Sequence, residues 1–486
     1  MASPLDPSTL EPTGLWRAFA ALSRIPRGSG NEAAACAFLL EEAARLGLSA
    51  EQDAVGNVLL RKPAAPGREG APTVALQAHV DMVCEKDRGT AHDFSRDPIA
   101  LVRDGEVVRA EGTTLGADNG IGAAAALAVL ASRDLPHGPL ECLFTVDEER
   151  GLTGAVACRP GWLKARYLLN LDGEDPSELT ISCAGGLETE ARRRMTREAA
   201  PVGHLAFALR VGGLRGGHSG VDIHQGRGNA LRLLGRTLAA LMELPGVALA
   251  GLEGGSRRNV IPREASAHLL APPEQAGNLS GVVARCEACF RAELGAFDPA
   301  LALALEPCAP RPETVLTPEE AHRVVALLRV LPHGVHAMSP EIPGLVQAST
   351  NLAVLEEEGE TLRVLLSHRS ALASARDEAG SVAALLARAH GFEAAHGGAY
   401  PGWSPCPDAE LVHLAQAVFA ERNGQPATLR AIHAGLECGI LGDKHPGLQM
   451  ISFGPHILDA HSPQERVDIA SVARFWDFLT ALLVRV

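Results

Sequence analysis

The stretch TVALQAHVDMV (73–83) reads as one buried strand: apolar residues run almost without break until His79, and the polar residues gather at its end. A near-continuous apolar run of this length fits a strand covered on both faces, the pattern of parallel sheets. The design recurs. LECLFTVDEE (140–149) is apolar until Asp147, Glu148 and Glu149, and YLLNLDGE (167–174) is apolar until Asp172. Between the first two lies NGIGAAAALAVLAS (119–132), an Ala- and Leu-rich helix. Strands alternating with helices predict an α/β domain with a mostly parallel sheet.

Outward from this core, residues 13–46 read as helical. Asn31 is a candidate cap for EAAACAFLLEEAARLG, and Gly47 is the stop. VGNVLLRKP (55–63) is a further strand. After about residue 185 the pattern changes to strands with more alternation (203–211, 259–270, 346–356, 361–368), separated by helical stretches at 227–244, 275–293 and 317–330. From about 394 the buried style returns in TLRAIHAGLECGIL (428–441) and LQMISFG (448–454), and a last helix starts near 464. The expectation is an α/β domain split in sequence (1–186 and 394–486) around an inserted α+β domain (187–393).

Ligands in open α/β sheets gather beyond the carboxyl ends of strands, so the polar residues ending these strands are the candidates for chemistry. Each has an ordinary reading when taken alone. His79 and Asp81 face the same side of a strand and would serve as a structural ion pair. Asp118, after a Gly-containing turn and before a helix, would serve as a cap. Glu148 and Glu149 would form a solvated turn, Asp172 a turn before Gly173, and His461 an exposed loop residue. Together they form a set of two His and three carboxylates suited to zinc or a similar divalent ion. Adding Glu148 and Asp81 gives a concentration of negative charge that is unreasonable without cations. Two such ions about 3.5–4 Å apart would clamp both the attacking oxygen and a carbonyl oxygen. Manganese and cobalt accept the same donors, so the metal stays open.

Composition narrows the classes further. Lys and Arg number 44 against 58 Asp and Glu, a net charge of −14, which disfavours nucleic-acid binding. No apolar run reaches membrane-span length, and MASPLDPSTLEP (1–12) lacks a signal-peptide pattern. The expectation is a cytoplasmic protein with no membrane partner. Cys286 and Cys289, in RCEACF, form a lone C-x-x-C that reads as ordinary core cysteines. No G-x-S-x-G elbow appears, which disfavours a serine hydrolase.

AHVDMV (78–83), GTTLGADNGIG (112–122), DEERGLTGA (147–155), NLDGED (170–175) and AHSPQERV (460–467) together resemble the aminoacyl-histidine dipeptidase group, within the wider aminoacylase and carboxypeptidase-like dizinc hydrolases. The likeness extends through AHDFSRDPIALVRDGEVVRAEGTTLGADNG (91–120) and spans nearly the whole chain. The resemblance implies a split catalytic domain with an inserted lid, and hydrolysis of dipeptides, Xaa-His and carnosine-like among them. It implies that Asp118 bridges two zinc ions, with His79 and Asp172 completing one and Glu149 and His461 the other. Glu148 would take a proton from a metal-bridging water and return it to the leaving amine, and Asp81 would orient His79.

In the lid, the resemblance gives His218 (LRGGHSGVDI) to the oxyanion and Asn259 (RRNVIP) to the substrate. Arg369 (VLLSHRSALAS) would hold the substrate carboxylate. Gly435, and with it His433 and Glu437 (AIHAGLECG), would line the pocket. A homodimer through the lid is expected, with His218 acting in its own chain or in its partner's. The alternatives are a related aminoacylase, carboxypeptidase or tripeptidase acting on another amide, and a non-catalytic binding protein on the same fold.

Overall fold

The structure is a computed structural model describing residues 3–340 and 342–486. The chain divides into two units. Unit 1 comprises the chain up to Cys183, Trp403–Ala431 and Leu436–Val486; unit 2 comprises Ala184–Gly402 and Ile432–Gly435. The sequence boundary near 394 falls inside the strand Glu393–Tyr400, which pairs antiparallel with Gly185–Arg194 and so stays with unit 2. The short return of 432–435 to unit 2 had no sequence signal.

Unit 1 is built on an eight-stranded sheet, in the order Ser49–Gln52, Val58–Lys62, Leu140–Thr145, Val74–His79, Tyr167–Asn170, Gln449–Ser452, Glu178–Cys183, Thr428–Ile432. The four strands Leu140–Thr145, Val74–His79, Tyr167–Asn170 and Gln449–Ser452 run parallel, whereas Val58–Lys62 and Glu178–Cys183 join them antiparallel. The parallel part is therefore the centre only. Every residue of Val74–His79, Leu140–Thr145 and Tyr167–Asn170 is buried, as the apolar runs required. His79 pairs with Thr145 and Gln77 with Asn170, so the polar strand ends lie at one level.

Helix Ala117–Ala131 packs against Val74–His79 and against helix Thr13–Ser23. Small residues allow the two helices to approach closely: at Gly14 of Thr13–Ser23 an added Cβ would sit 3.9 Å from Ala128 Cβ. Helix Ala33–Leu46 starts one residue later than the Asn31 cap implied. Glu32 occupies the cap position with no side-chain cap, and Gly47 ends the helix at φ +69°. A smaller sheet ties the amino-terminal region to the carboxyl-terminal one through Val107–Ala110 and Arg466–Asp468. The last helix begins at Ile469, capped by Asp468.

Unit 2 is an antiparallel sheet of nine strands, Ala302–Pro307, Leu205–Gly212, Ala265–Ala271, Ala248–Gly254, Val346–Glu358, Thr361–Ser370, Gly185–Arg194 and Glu393–Tyr400 in order, with Gly334–Met338 paired to Val346–Glu358. Helices Ala230–Leu241, Ala276–Leu294, Pro318–Val330 and Ala373–Ala389 join it in one apolar core that includes Leu234, Leu269, Phe290, Leu328 and Leu352. Cys289 is exposed on its helix instead of lying in the core, and all ten cysteines are free. Among the described residues, no helix is long and apolar enough to cross a membrane.

Candidate metal centre

The strand ends of unit 1 converge. Asp118 lies at the entry to helix Ala117–Ala131, with non-helical φ/ψ, and its two carboxylate oxygens face different imidazoles. Oδ1 is 3.1 Å from His79 Nε2, and Oδ2 is 3.0 Å from His461 Nε2. On the first side Asp172 Oδ1 is 3.5 Å from the same His79 nitrogen; on the second, Glu149 Oε2 is 3.1 Å from His461 Nε2. The result is two triads that share one carboxylate, His79–Asp118–Asp172 and Asp118–Glu149–His461, each with donor atoms within 4.8 Å of one another. Glu148 belongs to an overlapping group with His79 and Glu149.

Asp81 is fully buried beside the first triad. Its Oδ1 lies 3.3 Å from His79 Nδ1 and accepts the Glu148 N–H at 3.1 Å, while Oδ2 accepts from Ser29 Oγ at 2.7 Å. A carboxylate behind an imidazole fixes its tautomer and orientation. Burial alone would raise the Asp81 carboxyl, but His79, Ser29 and the Glu148 amide hold it down at about 2.

Carboxylates dominate the electrostatics of the cluster. Burial acts to lower His79, yet Asp172, Asp118 and Asp81 hold it well above the ordinary imidazole value. Hydrogen bonds to Asp118 and Glu149 raise His461 to about 11. Burial raises Asp172 to about 7, helped by Asp118 and Glu149, and raises Glu148 well above the usual carboxyl range, helped by Asp172, Glu437 and Glu149. Glu149 Oε1 is buried with no hydrogen-bond partner among the described residues, and an orphaned buried acceptor is costly. Nitrogen and oxygen donors in two triads sharing a carboxylate fit a pair of divalent cations.

Several supporting groups were not singled out by sequence. Burial raises Glu174 to about 7, with Asp118 as the foremost neighbouring charge. Gln77 and Asn170, polar residues inside apolar strands, are joined across the register at 2.6 Å. Arg27 is fully buried and donates to three backbone carbonyls, and Glu465 accepts from four backbone amides, both around the Asp118 turn.

The remaining candidates lie mostly in unit 2. His218 Nδ1 accepts the N–H groups of Gly220 and Val221, both at 3.2 Å. Its proton therefore belongs on Nε2, leaving that nitrogen a donor. Burial lowers His218 to about 4, with Arg369 adding to the effect, so the ring is neutral at pH 7. Buried Arg369 donates to Tyr400 Oη at 3.1 Å, and its Nε lacks a partner among the described residues. His433 is buried and bonded to Ser349 Oγ at 2.7 Å; Gly435 sits against Tyr400, where a Cβ would be 3.0 Å from the ring. The Asn259 side chain is exposed, while its carbonyl accepts the Ser219 N–H at 2.8 Å. Glu437 departs from the expected pocket wall. It lies in unit 1, almost wholly buried, and its Oε2 accepts from Gln77 at 2.6 Å and Thr145 at 2.7 Å, so it is a partner of the sheet's polar residues.

The model of peptidase family M20/M25/M40 matches residues 75–485. The chain belongs to this peptidase family. Among its relatives, the cytosol non-specific dipeptidase of Escherichia coli (strain K12) is 40% identical over 476 residues, covering 98% of each chain. The crystal structure of aminoacylhistidine dipeptidase from Vibrio alginolyticus superposes with a TM-score of 0.90 at 41% identity, covering 99% of this chain and 98% of that one. Aminopeptidase PepT from Bacillus cereus shares the fold alone, with a TM-score of 0.56 at 16% identity, covering 98% of this chain and 99% of that one. The dipeptidase group expected from the motifs is thus the one the M20/M25/M40 chain resembles over its full length.

Proposed function

We propose that the chain is a two-metal dipeptidase acting on dipeptides with a free amino end, Xaa-His and carnosine-like substrates included. The observation that carries this reading is Asp118, whose two oxygens each meet a different imidazole. His79 and Asp172 would hold one ion and Glu149 and His461 the other, with Asp118 shared; zinc is the metal we expect. Bound there, the ions would lower the pKa of water and polarise the scissile carbonyl.

The chain's own residues supply the rest. Glu148, whose carboxyl is raised above the usual range by burial, takes a proton from the attacking water at its carboxylate and returns it to the leaving amine. Asp81 keeps His79 in one tautomer. The neutral His218, with its proton on Nε2, is the donor for the developing oxyanion, a contribution worth about 2.7–4 kcal/mol in comparable sites. Arg369 offers a guanidinium fork to the substrate carboxylate. His433, Gly435 and Asn259 line the substrate's surroundings in this reading. The resemblance also supports a homodimer through unit 2, testable by light scattering, and the E. coli relative's name supports a cytoplasmic location.

The test is hydrolysis of a dipeptide panel by metal-loaded chain, with tripeptides and N-acyl amino acids as competing classes. Glu148→Gln is expected to keep its metal content and lose roughly 10²–10⁴-fold in kcat, the share of a general base. Undiminished turnover in that variant would remove Glu148 from the mechanism, and a preference for N-acyl amino acids would overturn the substrate class.

A further inference from the structure

The Asp118 turn is gripped from both sides by buried charges outside the two triads. From one side, Glu465 accepts four successive backbone N–H groups: Leu115 at 2.7 Å and Gly116 at 2.9 Å on Oε2, Ala117 at 2.7 Å and Asp118 at 3.2 Å on Oε1. From the other side, Arg27 Nη2 donates to the Gly116 carbonyl at 2.5 Å, while Nη1 donates to the carbonyls of Val80 at 2.9 Å and Asp81 at 3.1 Å. The turn is shaped for the guanidinium. A Cβ at Gly116, which sits at φ +67°, or at Gly120 would fall 2.6 Å from Arg27 Nη2. A buried ion is tolerated only when its hydrogen bonds are largely met, so this is a costly way to build an ordinary turn.

The two charges reach the turn from different segments. Glu465 stands four residues after His461, and its own N–H bonds the Ser462 carbonyl at 3.0 Å. His461 and Asp459 hold left-handed backbone at φ +62° and +52°, a conformation that needs outside support in non-glycine residues. Arg27 instead holds the two residues that follow His79.

We infer that Glu465 and Arg27 are positioning residues, each setting one imidazole against the shared carboxylate: Glu465 places His461, and Arg27 places His79. The inference rests on the two-metal reading above. Glu465→Gln replaces one acceptor oxygen by an amide that would face two N–H donors. Arg27→Lys keeps the charge and loses the fork.

The experiment is zinc titration of the full-length apo chain against a chromophoric chelator, with bound ions counted by atomic absorption. Wild type is expected to take two ions. Glu465→Gln is expected to weaken one of them by about 10–100-fold, the usual effect of losing an outer partner, and to spare the other. In a His461→Ala background, which is expected to keep a single ion, adding Glu465→Gln should change that ion's affinity little. Arg27→Lys should behave in the mirror sense, adding little in a His79→Ala background. Glu465→Asp keeps the charge with a shorter reach; it should show the same one-site loss in smaller measure and serves if the Gln variant does not fold. Equal weakening of both ions, a further loss in the His461→Ala background, or unchanged titration would overturn the inference while leaving the two-metal reading standing. A wild-type chain that takes fewer than two ions would overturn that reading and this inference with it.

Discussion

Asp118 and Arg369 are both residues whose geometry offers two directions at once. Asp118 spends its two oxygens on two imidazoles. Arg369 donates one Nη1 hydrogen to Tyr400 and keeps a buried Nε with no partner among the described residues. A guanidinium held by a phenol rather than a carboxylate stays free to take one. Arg369→Met should therefore raise KM for dipeptides with a free carboxyl end by roughly 10–100-fold, which corresponds to about 1.5–3 kcal/mol for a hydrogen bond to a charged group. The matching dipeptide amides should lose far less. Equal losses on acids and amides would mean that Arg369 only packs, and steady-state kinetics on paired substrates decide between the two.

At the scale of elements, the central strands carry unit 1 because both their faces are buried. Leu169, in Tyr167–Asn170, is fully buried between Val74–His79 and Gln449–Ser452. Leu169→Ala is expected to destabilise unit 1 by roughly 2–5 kcal/mol, the range for truncating a well-packed core residue. Urea unfolding followed by tryptophan fluorescence measures this, because Trp16, Trp162, Trp403 and Trp476 all belong to unit 1. The same burial made these strands legible in sequence: an apolar run ending in His79, Glu149 or Asp172 names both the strand and its chemical end. The antiparallel margins were less legible: Val58–Lys62 reveals a strand without revealing its direction, and Glu178–Cys183 was not read as a strand. Glu465 and Arg27 were not legible at all. Their partners are backbone groups 53 to 350 residues away, and a single sequence carries no trace of a bond to main chain. Glu437 misled for a related reason: neighbours in sequence, it and Gly435 fall on opposite sides of a unit boundary.

At the scale of the whole molecule, the two units bury different titratable groups. Unit 1 concentrates carboxylates, whereas unit 2 buries neutral histidines. Hydrogen bonds run through unit 2 from His396 to Thr189, His368, Thr350 and His336, joining five neighbouring strands. His368 lies at the centre of this row, fully buried, and burial lowers it to about 3, with His336 and His396 adding to the effect. In the unfolded chain it titrates near the ordinary value of about 6.5. As pH falls below that value the unfolded state takes up a proton that the folded state refuses. The stability is therefore fully present above about 6.5 and is lost progressively toward 3, by at most about 1.4 kcal/mol per pH unit. Gln at this position would offer one donor and one acceptor to the same two threonines without titrating. The expected outcome is that hydrogen exchange in Thr361–Ser370 quickens in wild type relative to His368→Gln as pH drops from 6.5 toward 4. His333 and His433, lowered to about 3 by burial in both proteins, cancel in that ratio. The intrinsic pH dependence of exchange cancels as well. A ratio that stays flat across the range would show that His368 keeps its proton balance on unfolding and that the acid sensitivity of unit 2 lies elsewhere.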